Sequence, residues 1–196
     1  MRDYLDVTVR EYLEELSARR IVPGGGSAAA LAAALGAGLN LMVIEYSAGT
    51  GNELAELRKD QKRSMDRLAG LVDEDCRAFD ALMRALAGKK DAQKEYIAAA
   101  EAPLEICREC RTSLDITVRL RVIGKKELAT DVGCAAHMLK AGYNAARLNA
   151  EVNLRHIGEE AFVRGALKEL DELGNDIADM AEKVIAWLPA TEPGVM

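Results

Sequence analysis

The sequence contains few aromatic residues, only 4% of its 196 positions, and only four prolines. Strands favour aromatic and β-branched side chains, so this scarcity argues against a sheet-based fold. Basic residues are in the minority, since 26 Lys and Arg stand against 32 Asp and Glu, for a net charge of −6. We therefore expect no nucleic-acid partner, because phosphate binding depends on clustered Lys and Arg.

The first residues lack the basic and then apolar pattern of a signal peptide. Cys76, Cys107, Cys110 and Cys134 are therefore predicted to be reduced thiols in a cytoplasmic protein. Cys107 and Cys110 form a CxxC pair, but no strand precedes it and no zinc-ligand spacing surrounds it. We interpret both as structural residues and expect no bound metal.

Alanine is abundant, with 33 residues, and it has the highest intrinsic helix propensity. A capping-box pattern, Thr8 followed by Glu11, opens the first amphipathic segment. Pro103 falls inside a later segment, where it is expected to kink or break the helix. The sequence predicts a single all-α domain over residues 1–196, a bundle of about six helices. These are placed at about 9–19, 28–44, 53–87, 92–122, 130–156 and 159–188.

The segment from Ala28 to Ile44 is almost free of polar residues and is nearly long enough to cross a membrane. It is rich in Ala and Gly rather than Leu, and it contains Asn40. We therefore predict a buried central helix and no membrane association. A helix this apolar needs more cover than one thin layer of helices provides, so we expect a homodimer.

The turn before this helix reads Pro23, Gly24, Gly25, Gly26 and Ser27. Glycines at a helix N-terminus leave the backbone N–H groups unhindered, and the helix dipole favours a negative ligand there. The segment is not a P-loop, because no Gly-Lys-Ser/Thr follows it. It predicts either an anion-binding site or a tight turn between two helices.

Several polar residues interrupt otherwise apolar helical segments. Asn149 and Asn153 lie four residues apart and share a helix face, which indicates a specific hydrogen-bonding partner, either a ligand or another helix. Asp131 is either a functional carboxylate or a helix N-cap. Asp75 belongs to an acidic run that is most simply solvated, yet it lies one turn before Phe79.

Taken together, these segments resemble a known family, that of the cyclodeaminase domain of formiminotransferase-cyclodeaminase and the bacterial methenyltetrahydrofolate cyclohydrolases. The resemblance covers residues from about 4 to 180 and rests on five motifs in the same order. These are residues 23–30, Asp75 to Phe79, Ala102 to Ile106, Thr130 to Gly133, and Leu148 to Asn153. Two positions depart from the family pattern: Gly49 to Asn52 replaces a Gly-Lys-Lys, and Gly124-Lys125 replaces a Gly-Asn.

The resemblance implies an all-helical dimeric enzyme that acts on the one-carbon unit of tetrahydrofolate without a metal or redox cofactor. It implies that Asp131 is the catalytic carboxylate, and that Asn149 and Asn153 hold the substrate with Asp75 and residues Gly24 to Ser27. The reaction is either hydrolysis of methenyltetrahydrofolate or cyclisation of formiminotetrahydrofolate. The missing lysines leave open a non-catalytic folate-binding or helical interaction protein.

Overall fold

The computed structural model describes residues 3–47, 52–89 and 91–188. Within these ranges the chain forms six α-helices and no strand, which confirms the predicted fold class. The helices are α1 (Val9–Ser17), α2 (Gly25–Ser47), α3 (Asn52–Ala87), α4 (Gln93–Ile123), α5 (Ala129–Leu154) and α6 (Glu160–Trp187). Short 3-10 turns lie at Tyr4–Asp6 and Lys126–Leu128.

The helix ends differ from the predictions in two informative places. The capping box at Thr8 and Glu11 is present as predicted. However, α2 begins at Gly25 rather than Ala28, because Gly24 already accepts the first helical hydrogen bond, from the N–H of Ala28. Pro103 was expected to kink or break its helix, and the break does not occur, since α4 is continuous through it. Gly49, Thr50, Gly51, Lys90 and the tail with Pro189 and Pro193 lie outside the described residues.

Helix α2 is the centre of the bundle, and α3, α4 and α5 pack around it. Small residues let α2 and α5 approach closely. A Cβ added to Gly142 on α5 would lie 2.8 Å from the Cβ of Ala33, and one added to Gly36 on α2 would lie 2.9 Å from Cγ of Leu139. One hydrophobic cluster then draws buried residues from all six helices.

A buried polar network explains the asparagine in this apolar helix. Asn40 donates from Nδ2 to the carbonyl of Ser113 at 2.9 Å, and Thr117 donates to its Oδ1 at 3.1 Å. Gln61 in turn donates to the carbonyl of Ala37 at 3.1 Å. Because these polar groups satisfy one another, the network fixes the register of α2 against α3 and α4.

By length and composition, α2 is also the one helix in the described part of the chain that is apolar enough to cross a membrane. Within its most apolar window, 56% of the residues are buried inside the bundle. A helix that is packed by neighbours on several sides has the same composition, and α2 packs against α3, α4 and α5, so we interpret it as a core helix.

Gly142→Ala is expected to lower the free energy of unfolding by about 1–3 kcal/mol, because the new methyl group meets the backbone and Cβ atoms of α2. Gly165→Ala is the matched control, since nothing lies within 4 Å of its added Cβ, and it is expected to stabilise by about 0.5–1 kcal/mol. Urea unfolding measures both. Equal stabilisation by the two variants would contradict the close contact of α2 and α5.

Candidate functional site

A pocket of about 290 Å³ opens where the N-terminus of α2 meets α3, α4 and the C-terminal part of α5. Most of the residues that the sequence singled out for binding meet here, although they come from three separate segments. The lining residues are Ile21, Val22, Gly24, Gly25, Gly26, Asp75, Phe79, Ala99, Asn149, Val152 and Asn153.

The carboxylate of Asp75 on α3 lies directly against the first turn of α2. It accepts a hydrogen bond from the backbone N–H of Ser27. A Cβ added to Gly26 would lie 2.1 Å from Oδ1 and 2.5 Å from Cγ of Asp75, far inside van der Waals contact. Only glycine therefore permits this arrangement, in which a neighbouring helix supplies the anion at the positive end of α2.

Burial sets the chemistry of this carboxylate. It raises the pKa of Asp75 from 3.8 to about 6, against the opposing effect of the Ser27 N–H. No Lys or Arg in the described ranges forms an ion pair with Asp75, whereas the adjacent Glu74 pairs with Arg67 at 2.6 Å. Near neutral pH, Asp75 is therefore suited both to accept and to release a proton.

The two asparagines present amide groups whose orientation is fixed by the backbone. Asn149 donates from Nδ2 to the carbonyl of Ala145 at 2.8 Å. Asn153 donates from Nδ2 to the carbonyl of Ala99 at 2.7 Å and to that of Asn149 at 3.1 Å. Within the part of the chain that the structure describes, no donor binds either Oδ1, so these oxygens are the atoms left to accept a hydrogen bond from a ligand.

Ser27 belongs to the predicted binding turn but contributes only its backbone. Its side chain is buried, and its hydroxyl lies 3.1 Å from the hydroxyl of Tyr12. The hydroxyl thereby ties α1 to the start of α2, while the Ser27 N–H binds Asp75.

Asp131 does not lie at this pocket. It is in the first turn of α5, 18 residues before Asn149, which corresponds to about 27 Å along the helix axis. The alternative interpretation of Asp131 as a helix N-cap is also wrong, because the N-cap of α5 is Leu128. The carboxylate that the structure places beside the Gly-rich turn and the two asparagines is Asp75. The pairing of Asp131 with Asn149 and Asn153 in one site, as the resemblance implied, therefore does not occur within this single chain.

Sequence reasoning missed the apolar walls of the pocket, which are Ile21, Val22, Phe79, Ala99 and Val152. Phe79 carried a signal, because it lies one helical turn after Asp75 and shares its face. Val152 could have been predicted in the same way, because it lies three residues after Asn149 and shares its helix face. The side chain of Ala99 gave no indication of its role, because its backbone carbonyl is the group that accepts a hydrogen bond from Asn153.

The four cysteines are free thiols, and Cys76, Cys107 and Cys110 are buried. Burial raises the pKa of Cys107 to about 12 and that of Cys110 well above its ordinary value. Neither is therefore a ready nucleophile at neutral pH. The residues in the described ranges also include no group of three or more His, Cys, Asp or Glu side chains able to hold a metal ion.

The fold and the pocket define an all-helical protein with a partly buried carboxylate and two oriented amides at one helix N-terminus. The family model for formiminotransferase-cyclodeaminase matches residues 8–172, so the chain belongs to that family. It is 30% identical to a methenyltetrahydrofolate cyclohydrolase of Methylorubrum extorquens, over 90% of this chain and 93% of that protein.

Two further comparisons agree with this assignment. The chain is 28% identical to a formimidoyltransferase-cyclodeaminase of Rattus norvegicus over 95% of its own length, but it spans only 38% of that larger protein. The structure of a formiminotetrahydrofolate cyclodeaminase from Thermotoga maritima superposes with a TM-score of 0.89. The match covers 94% of this chain and 97% of that one at 24% identity, and it confirms the fold.

Gly26→Ala is expected to displace the Asp75 carboxylate and to abolish ligand binding at the pocket, with a loss of about 1–3 kcal/mol of stability. Gly38→Ala is the control on the same helix, because the nearest atom to its added Cβ is Sδ of Met65 at 3.8 Å. Thermal melting and ligand titration are measured for both. Normal binding by Gly26→Ala would contradict the contact between Asp75 and α2.

Proposed function

We propose that this protein acts on the one-carbon unit of tetrahydrofolate and hydrolyses 5,10-methenyltetrahydrofolate to 10-formyltetrahydrofolate. The observation that carries the proposal is the partly buried Asp75 carboxylate, whose pKa is raised to about 6 and which lies in a pocket with two oriented amides. The choice of hydrolysis is supported by the named cyclohydrolase relative, which the chain matches over nearly the full length of both proteins. The two cyclodeaminases compared above are less similar in sequence, at 28% and 24% identity against 30% for the cyclohydrolase.

The reaction needs one group that first takes a proton and then returns it. Water adds to the cationic carbon between N5 and N10, its oxygen forms the new C–O bond, and Asp75 accepts its proton. The protonated Asp75 then donates to N5 as the C–N5 bond breaks. The hydroxyl releases its proton to solvent as the formyl C=O forms, so one water is consumed and one proton is released.

Asp75 also supplies electrostatic stabilisation. The substrate carbon is part of a cationic amidine-like group, and an ionised carboxylate in a low-dielectric pocket favours that charge. No atom changes its oxidation state in the hydrolysis, so the reaction itself demands no redox cofactor.

The rest of the pocket suits the reacting end of a folate. The Oδ1 atoms of Asn149 and Asn153 accept hydrogen bonds from ring N–H groups, while Phe79 and Val152 offer apolar surface to a flat ring. Ligand pockets usually have volumes of about 300–1,000 Å³, and this one, at about 290 Å³, is just below that range. We therefore expect it to enclose the ring system that reacts, while the remainder of the folate extends to the surface.

Asp75→Asn tests the proton transfer. The amide keeps the shape and an oxygen that accepts the Ser27 N–H, but it cannot carry the proton, so kcat is expected to fall by about 10²–10⁴-fold. In the unsubstituted protein, kcat/KM is expected to fall as the pH drops below about 6, because protonated Asp75 cannot accept a proton from water. This fall in kcat/KM at low pH should be absent in Asp75→Asn. The absorbance of methenyltetrahydrofolate follows the reaction.

Asp131→Asn is the comparison variant for the same assay, and it is expected to keep kcat within about threefold, because Asp131 lies outside the pocket and does not cap α5. A large loss with Asp131→Asn and none with Asp75→Asn would transfer the catalytic role to Asp131. Ammonia released from formiminotetrahydrofolate, without hydrolysis of the methenyl compound, would identify a cyclodeaminase. Folate binding with no turnover of either compound would support the non-catalytic binding protein.

We further propose that the protein is a homodimer in a reducing compartment such as the cytoplasm. The four free cysteines support that compartment.

Support for the dimer comes from an apolar face shared by α2 and α5, on which large side chains remain exposed. They are Leu35 and Tyr46 on α2, and Met138, Leu148 and Val152 on α5.

This face reaches the pocket. Val152 is 54% exposed and also lines the pocket, so a second copy that covers the face would extend the pocket wall. An apolar surface on two adjacent helices is typical of a subunit interface rather than of a solvated face.

Leu148→Glu is expected to yield monomers at micromolar concentration, because it places a charge in the proposed interface. Leu148 is 65% exposed in the single chain. Leu13→Glu on α1, at a position 56% exposed, is the control and is expected to leave the dimer intact. Sedimentation velocity measures both. A protein that is monomeric without any substitution would refute the dimer, and dissociation by Leu13→Glu alone would move the interface to α1.

A further inference from the structure

Pro103 occupies an unusual place, in the interior of the continuous helix α4 and buried. Proline has no backbone N–H, so the carbonyl four residues earlier loses its helical partner. That carbonyl belongs to Ala99, which is 4% exposed and lines the pocket. A buried carbonyl without a donor is costly, so another group must satisfy it.

The group that satisfies it is a side chain of the candidate site. Asn153 donates from Nδ2 to the Ala99 carbonyl at 2.7 Å, across the interface of α4 and α5. Its other amide hydrogen is directed to the carbonyl of Asn149, at 3.1 Å. With both hydrogens bound to backbone carbonyls, the Asn153 amide has one orientation, in which Oδ1 is left for a ligand.

We propose that Pro103 is a positioning residue, which holds the Asn153 amide in its ligand-accepting orientation by leaving the Ala99 carbonyl free to receive it. The proline ring also crowds the carbonyl four residues back, which favours a partner outside the helix. The ligand group that this arrangement selects is a ring N–H donor, and in this respect the inference rests on the proposed folate function.

The consequence is an unusual pairing of effects in Pro103→Ala. Alanine restores the N–H that competes for the Ala99 carbonyl, and alanine is a far better helix former than proline. The variant should therefore be at least as stable as the original protein, yet it should bind its ligand less well. A residue with a merely structural role would give the opposite result, a loss of stability with binding unchanged in the folded fraction.

A double-mutant cycle of Pro103→Ala and Asn153→Ala tests the proposal. Pro103→Ala is expected to raise KM for methenyltetrahydrofolate by about three- to tenfold, with kcat within about twofold and no decrease in Tm, since one positioning hydrogen bond is weakened. In the Asn153→Ala background, Pro103→Ala should change KM no further. The side-chain amide signals of Asn153 in an NMR spectrum are expected to shift in Pro103→Ala and to exchange faster with water.

The inference would be overturned if Pro103→Ala left both KM and the Asn153 amide signals unchanged, or if it raised KM equally with and without Asn153. Asn153→Asp is the second variant should Pro103→Ala not fold. It keeps an acceptor oxygen but has no N–H for Ala99, so it should also raise KM, and an unchanged KM would overturn the inference. If the original protein neither binds nor converts folates, the proposed function fails, whereas the amide signals still decide whether Pro103 orients Asn153.

Discussion

The close approach of the Asp75 carboxylate to Gly26, which leaves no room for a Cβ there, is the constraint on which the site depends. A carboxylate this close to a helix backbone requires glycine, and it requires that α2 start at the triple glycine so that the Ser27 N–H faces α3. The same contact buries Asp75 and so raises its pKa to about 6. One packing arrangement therefore defines where α2 begins, where α3 lies against it, and the raised pKa of the carboxylate in the pocket.

Two sets of polar side-chain hydrogen bonds hold the helices in place in an otherwise apolar bundle. At the centre, Asn40 binds the carbonyl of Ser113 and the hydroxyl of Thr117, which fixes α2 along its length. Near the pocket, Asn153 binds the carbonyl that Pro103 leaves free, which connects α5 to α4. Buried polar groups are costly unless they are paired, so each set specifies one register of the helices that it joins.

The fold followed from the sequence because alanine content, helical periodicity and a capping box all indicate helices. The candidate site followed in part: Gly24 to Gly26, Asp75, Asn149 and Asn153 meet at one pocket. The sequence did not show that Asp75 is the carboxylate at the pocket, because the burial of a side chain depends on how the helices pack. The sequence placed Asp75 in a charged run, and only the packing of α3 against glycine distinguishes it from Glu74, which pairs with Arg67 at the surface. Pro103 was expected to kink or break α4, because a proline removes one helical hydrogen bond. The sequence does not show that a side chain of α5, Asn153, satisfies the carbonyl that the proline leaves free.

The central claim is that the reacting carbon of a folate lies beside Asp75, and a crystal structure with the stable analogue 5-formyltetrahydrofolate tests it most directly. The formyl group is expected within hydrogen-bonding distance of the Asp75 carboxylate, with ring N–H groups donating to Oδ1 of Asn149 or Asn153. Analogue bound elsewhere, for example at the N-terminus of α5 beside Asp131, or no bound analogue at saturating concentration, would contradict it.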